Sequence, residues 1–383
     1  MSLEIAITGK PSSGKSSFFK AATMIDVEIS SRPFTTIKPN QGVAYVVTNC
    51  IEKEFNVKCK PNKGRCVDGK RYVPIKLWDI AGIVPEAHTG KGLGLKFLDD
   101  VRQASALIQV VDISGTTNEE GNVTTNYDPV KEVEFVRDEI NSWFEEIIRR
   151  GIEKYDRIKR TTKIDITDVL TEQLTGLQTS KEQIKKVYDR TGIDDIKQFA
   201  RDLRELSKPI LVAANKIDLE RGLENISRIQ STTIPTSAAA EIALKTAEQK
   251  DIIEYHENKI IIKDESKLDK KQIEGLGLIK KNVLEKFGST GIQKCLNTTV
   301  FDVLNQIVVY PVADANKLTD SKNNVLPDAY LVKNSTRLKD FAFMIHTDIG
   351  NKFIGGIDAK TKKKLGADYE LKNNDVVEIL TSK

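Results

Sequence analysis

Apolar residues concentrate in a few short runs: "LEIAIT" at 3–8, "YVPIKLWDIAGI" at 72–83, "SALIQVVDIS" at 105–114 and "PILVAANKID" at 209–218. Short apolar runs bounded by turn formers read as strands buried on both faces, as in a parallel sheet covered by helices. Between the third and fourth runs the period changes. Val133, Val136, Ile140, Trp143 or Phe144, and Ile147 recur at three- and four-residue steps, one apolar stripe of an amphipathic helix. Residues 128–206 therefore read as a helical insertion, and 240–304 as mainly helical with a short hairpin near "KIIIKDE". In the last segment Ser335 or Thr336 is expected to cap a helix reaching about Thr347. Strands at "KFIGGIDA" and "VVEIL" frame that helix, and Asn373, Asn374 and Asp375 form a turn. The pattern predicts an α/β protein with boundaries after 127, 206 and 304, ending in a small α+β module.

The first run leads into Gly9, Lys10, Pro11, Ser12, Ser13, Gly14, Lys15, Ser16 and Ser17. Strand, G-x-x-x-x-G-K-[ST], then helix is the order a phosphate cradle needs. Glycines let successive backbone N–H groups turn inward, and the helix adds its positive end. Lys15 would reach the β- and γ-phosphates, and Ser16 would ligate Mg²⁺. The second run ends in Asp79 and Gly82, a D-x-x-G pair: the carboxylate can hold Mg²⁺ and the glycine N–H can approach the γ-phosphate. In "RPFTTIKPNQG", Thr36, with Thr35 as alternative, would complete the Mg²⁺ shell. Lys15, Thr36 and Gly82 are the expected catalytic residues; Ser16, Thr36 and Asp79 are the expected metal ligands.

The fourth run delivers Asn215, Lys216 and Asp218 to the carboxyl edge of the sheet, where α/β folds bind ligands. Asp218 can accept from N1–H and the 2-amino group of guanine, and adenine offers neither donor. The substrate is therefore expected to be GTP rather than ATP. Ser237 and Ala238 follow a short strand, where the Ala238 amide could reach the guanine O6. An N-K-x-D sequence has no use in ATP phosphoryl transfer, which disfavours a small-molecule kinase.

Composition adds limits. The 59 basic and 55 acidic residues nearly cancel, so net charge gives no reason for a nucleic-acid or membrane partner. Any basic surface is local. "RRGIEKYDRIKRTTK" at 149–163 carries seven cations against Glu153 and Asp156, and is the candidate contact for RNA phosphates. No run is long enough for a membrane span, and four cysteines suit a reducing cytoplasm. Cys50, Cys59 and Cys66 do not have the short spacing of common zinc sites, and the sequence shows no fourth ligand, so they read as buried or unpaired thiols, with metal binding or redox sensing as the alternative.

"GKPSSGKS", "PFTTIKPNQG", "DIAGIVPEAHTGKGLG" and "NKID" together resemble the Obg-like GTPases, in their YchF-related archaeal and fungal branch. The likeness continues through "GSTGIQKCLNTTVFDVLNQIVVYPV", and "VKNSTRLKDFAFMIHTDIGNKFIGGIDA" resembles a TGS domain. The resemblance implies a Ras-like P-loop NTPase fold: an Obg-type G domain over 1–127 and 207–304, a coiled-coil-like helical insertion over 128–206, and a β-grasp TGS domain over 305–383. It also implies slow, Mg²⁺-dependent GTP hydrolysis and a ribosome or RNA partner reached through the helical arm and TGS module. A cytoplasmic monomer is expected. The alternatives are a ribosome- or RNA-binding protein with a structural nucleotide site, or a YchF-like ATPase. Three positions depart from relatives or from Ras-like enzymes. Asp218 stands where many YchF proteins carry Glu, Ser12 where many Obg relatives carry Asn, and Ile83 where Ras-like enzymes place a water-aligning Gln. His88 lies close enough in sequence to align water, but reads first as a solvent-facing loop histidine.

Overall fold

The structure, a computed structural model, describes residues 3–26, 39–87, 100–219, 221–256 and 258–382. It divides into two compact units: Glu4–Gly42 with Leu77–Cys295, and Met1–Leu3 with Val43–Lys76 and Leu296–Lys383. Residues 43–76, assigned to the nucleotide domain from sequence, thus cluster with the C-terminal segment. The division falls inside two strands, β2 (Asn40–Asn49) and β4 (Lys70–Asp79).

In the first unit β1 (Glu4–Thr8), β5 (Ala106–Asp112), β6 (Ile210–Asn215) and β7 (Thr233–Pro235) run parallel in that order. The registers Thr8↔Gln109 and Asp112↔Asn215 align the carboxyl ends of the central strands. Ile5, Ile7, Leu107, Ile108, Leu211 and Val212 are buried, which explains why these strands read as mainly apolar runs. Helix α1 (Lys15–Thr23) seals the sheet with Phe18 and Phe19.

The insertion comprises four helices: α2 (Pro129–Ile158), α3 (Ile166–Leu174), α4 (Lys181–Thr191) and α5 (Ile196–Ser207). Pro129 starts α2, and Asp128 caps it by accepting from Val130 N–H at 3.1 Å. Val136, Ile140, Trp143, Phe144 and Ile148 face Ile166, Leu170, Ile184, Phe199 and Leu203 in one core. The expected stripe ended at Ile147, but Ile148, four residues after Phe144, takes the fully buried place and Ile147 is partly buried. Farther on, α6 (Ala238–Gln249) precedes the expected hairpin, β8 (Ile253–His256) and β9 (Lys259–Ile262).

The second unit holds a mixed sheet of order β11-β10-β14-β12-β13. Its strands are β10 (Gln306–Val312), β11 (Tyr330–Lys333), β12 (Phe353–Asp358), β13 (Lys364–Leu365) and β14 (Asp375–Thr381). Ile307, Val309, Val332, Leu338, Phe341, Leu371 and Val377 form its core. The helix expected up to about Thr347 is two, α7 (Leu338–Ile345) and α8 (Thr347–Asn351). Neither Ser335 nor Thr336 caps α7. Ser335 takes a left-handed φ of 65°, the Thr336 hydroxyl donates to Lys333 O at 2.6 Å, and Arg337 at the cap position makes no side-chain cap bond. β2 and the short β3 (Arg65–Val67), which pairs with β4, were not legible in the sequence.

Candidate functional site

Between β1 and α1 the chain turns through Gly9 at φ 144° and Gly14 at φ 98°. Both conformations belong to glycine, and space demands it too. A Cβ on Gly9 would stand 2.3 Å from Val110 O, and one on Gly14 2.2 Å from Asn215 Nδ2. Ser12 also has positive φ, 60°. Lys15 Nζ donates to Lys10 O at 2.8 Å, folding the loop around the ammonium. Burial pulls the Lys15 pKa down to about 8, against the attraction of Asp79 and Glu132.

Asp79, at the end of β4, is fully buried. Its Oδ2 accepts the Ser16 hydroxyl at 2.8 Å, and its Oδ1 has no hydrogen-bond partner. Burial raises the Asp79 pKa, opposed by Lys15, the Ser16 bond and the nearby Asn40 side chain, which does not reach Oδ1 in hydrogen-bond geometry. A buried carboxylate oxygen without a donor is costly unless a cation or ligand meets it. Gly82 closes the other side: a Cβ there would lie 3.1 Å from Pro11 N and 3.2 Å from Lys15 Nζ. The Ile83 N–H donates to Gly9 O at 3.0 Å, and its side chain, 1% exposed, belongs to the apolar core. Thr36, Thr35 and His88 lie outside the described residues.

On the other side of the loop, Asn215 acts as a brace. Its Nδ2 donates to Ser13 O at 3.0 Å, and its Oδ1 accepts Ala238 N–H at 3.1 Å. The amide expected to face a guanine carbonyl is thus engaged here by Asn215. Lys216, at φ 64°, donates to Asp112 Oδ2 at 2.8 Å. Asp218 is exposed. Ser237 caps α6 by accepting Ala240 N–H at 3.2 Å. The structure therefore brings the phosphate loop, Asp79, Gly82 and the Asn215 to Asp218 turn to one edge of the parallel sheet.

A buried polar network beneath the loop escaped the sequence reading. Lys10 is fully buried, donates to the Thr117 hydroxyl and pairs with Glu132 Oε2 at 3.5 Å. The Thr117 hydroxyl in turn donates to Asp112 Oδ2 at 2.6 Å, and Glu132 Oε1 accepts Asp112 N–H at 3.3 Å. Burial opposes the Asp112 charge, but Lys216, Ser114 and Thr117 hold its pKa below the ordinary value. Burial dominates at Glu132 and lifts it to about 7 despite Lys10. The network joins the phosphate loop to α2 and to the lysine of the N-K-x-D turn.

Three family models match the chain. Residues 4–151 match the 50S ribosome-binding GTPase model, and 213–314 match "Obg-like GTPase YGR210-like, G4 motif-containing domain". Residues 318–381 match the TGS domain. An uncharacterized GTP-binding protein of Methanocaldococcus jannaschii is 46% identical over 390 positions, covering 99% of each chain. One from Schizosaccharomyces pombe is 34% identical over 89% of each chain. The ribosome-binding ATPase YchF of Bacillus subtilis is 30% identical over 60% of this chain and 62% of its own. Among solved structures, a GTP-binding protein from Pyrococcus horikoshii OT3 superposes with a TM-score of 0.79 at 34% identity, covering 99% of this chain and 100% of that one.

Proposed function

The chain belongs to the Obg-like GTP-binding proteins, in their YchF-related branch, and from that membership we propose that it hydrolyses GTP to GDP and phosphate as a slow, Mg²⁺-dependent switch. The observation that carries this reading is the Asp79 carboxylate, with one oxygen on Ser16 and the other buried without a partner beside Lys15. These hard oxygens fit Mg²⁺, with Thr36 as the proposed third protein ligand. Bound there, Mg²⁺ would neutralise charge on the β- and γ-phosphate oxygens. The backbone N–H groups between Gly9 and Ser17, all but Pro11, hold the phosphates, and Lys15 supplies a desolvated positive charge at the transferring group. The Gly82 N–H orients the γ-phosphate. Ile83 offers no polar atom to align water and is packed in the core, so hydrolysis is slow without a partner.

The resemblance to ribosome-binding YchF supports a ribosomal or RNA partner for the helical insertion and TGS domain. A YchF-like ATPase is the second reading, favoured by one observation besides the relatives' names: the Ala238 amide is engaged by Asn215. Competition of GTP, ATP and xanthosine triphosphate against a fluorescent GDP analogue decides between them. The expected result is a GTP preference over ATP that collapses in Asp218→Asn while xanthosine triphosphate gains. An unchanged GTP to ATP ratio in Asp218→Asn would overturn the base assignment.

A further inference from the structure

Cys50, Glu52, Cys59 and Cys66 come together in the second unit. Cys50 follows β2, Glu52 sits in the helical turn Ile51–Lys53, Cys59 lies in the next loop, and Cys66 is in β3. Three thiols with spacings of eight and six intervening residues lacked a fourth donor in the sequence. Folding supplies the carboxylate.

One donor atom from each of the four residues lies within 4.8 Å of every other. Cys50 Sγ and Cys59 Sγ are 3.8 Å apart, and Cys66 Sγ is 3.4 Å from Glu52 Oε1. Thiolates about 2.3 Å and a carboxylate oxygen about 2.0–2.2 Å from one tetrahedral centre stand about 3.5–3.8 Å apart. A disulfide needs sulfurs at about 2.05 Å, and these cysteines are free. The second Glu52 oxygen, Oε2, accepts Cys59 N–H at 2.9 Å, which fixes the carboxylate with Oε1 toward Cys66.

We infer that Cys50, Glu52, Cys59 and Cys66 form a closed, structural zinc(II) site. Three soft thiolates in a four-donor set suit Zn²⁺, whereas Mg²⁺ and Ca²⁺ take oxygen ligands. Four protein donors leave no position for a reacting water. Loading is an acid-releasing exchange: Zn²⁺ displaces three thiol protons, forms three Zn–S bonds and one Zn–O bond, and leaves a complex of net charge −2. The metal would pin the charged loop 51–65 at both ends. That loop pairs with a distant segment of the same unit: Lys60 N–H donates to Val325 O and Asn62 N–H to Pro327 O, both at 2.8 Å. The buried Arg71 guanidinium reaches Leu326 O and Pro327 O at 3.0 and 3.1 Å.

The test is elemental analysis of full-length protein purified with reductant and without chelator, followed by Co²⁺ exchange. The expected result is about one equivalent of zinc per chain, with a thiolate-to-cobalt charge-transfer band and tetrahedral d–d bands after exchange. Cys59→Ser/Cys66→Ser should lose the zinc, and Lys15→Ala should keep it, separating this site from the nucleotide site. Metal-free protein with all thiols titratable and no cobalt charge-transfer band would overturn the assignment. So would a Cys50–Cys59 disulfide, or zinc retained by the double variant. If that variant is insoluble, the cobalt spectrum of the native chain decides.

Discussion

Burial holds the Lys15 ammonium near a pKa of about 8, and a phosphate beside it raises that value. Free protein therefore loses the Lys15 proton above about pH 8 while the nucleotide complex retains it. Binding takes up a proton in that range, so GTP affinity should fall by up to about tenfold per pH unit above about pH 8. Fluorescence titration from about pH 7 to about pH 9.5 measures this, and a flat profile would contradict it. The same shift works on stability with the opposite slope. The unfolded lysine binds its proton up to about 10.5, so the cost of burying the charge is fully present below about 8 and is relieved as pH rises between the two. Beneath the loop, Glu132→Ala would leave the Lys10 charge buried, and should cost about 3–5 kcal/mol in urea unfolding. A loss below about 1 kcal/mol would mean that Lys10 finds other compensation. The phosphate loop, Asp79 and the Asn215 turn were legible because each needs particular residues at fixed spacing. Glu132 was not, because one carboxylate in a charged helix reads as solvent-facing. Its signal was positional: Glu132, Val136, Ile140, Phe144 and Ile148 are spaced by four along one face of α2.

At the scale of elements, the end of α2 is less cationic than its sequence suggests. Arg149 pairs with Glu145, Arg150 with Glu146, Lys154 with Glu172 and Lys159 with Asp156. Arg157, Arg160 and Lys163 have no ion pair among the described residues. Exposed pairs are worth about 0–1 kcal/mol, so a phosphate can displace them cheaply, but the unpaired cations should contribute first. Replacing Arg157, Arg160 and Lys163 by Gln should lower the slope of log affinity against log salt for ribosomal RNA by about 2. An unchanged slope would move the contact elsewhere. Element type was clearest where one period dominated, as in β1, β5, β6 and α2. It failed at β2, where burial alternates from Asn40 to Val47 but the more exposed face carries Val43, Tyr45 and Val47, so residue type does not follow the alternation. At α7 the helix was legible but its cap was not, because the Thr336 hydroxyl bonds back to Lys333 O and Ser335 takes a left-handed turn.

Across the whole molecule, each compact unit carries its own chemistry: the phosphate loop and base turn in one, the cysteine cluster and mixed sheet in the other. Family membership links the two in a single chain over nearly its full length, as the archaeal relative shows by its 99% coverage. The partition of residues 43–76 could not be read from sequence because it depends on contacts with the distant C-terminal segment, and the four-donor cluster was missed because local folding brings Glu52 to thiols that lack the short zinc spacing. At this scale the protein is expected to co-sediment with ribosomal subunits when bound to a non-hydrolysable GTP analogue, and to do so less in high salt or with GDP. Equal pelleting in both nucleotide states would contradict a switch.

The central claim is that the Asp79 and Ser16 pair supports GTP hydrolysis, and a single-turnover assay with γ-labelled GTP, excess protein and Mg²⁺ tests it most directly. Slow phosphate release that stops with chelator and falls at least about a hundredfold in Asp79→Asn is the predicted result. GTP bound tightly but left intact, with ribosomes present as well as absent, would contradict it and leave the chain a binding protein with a structural nucleotide.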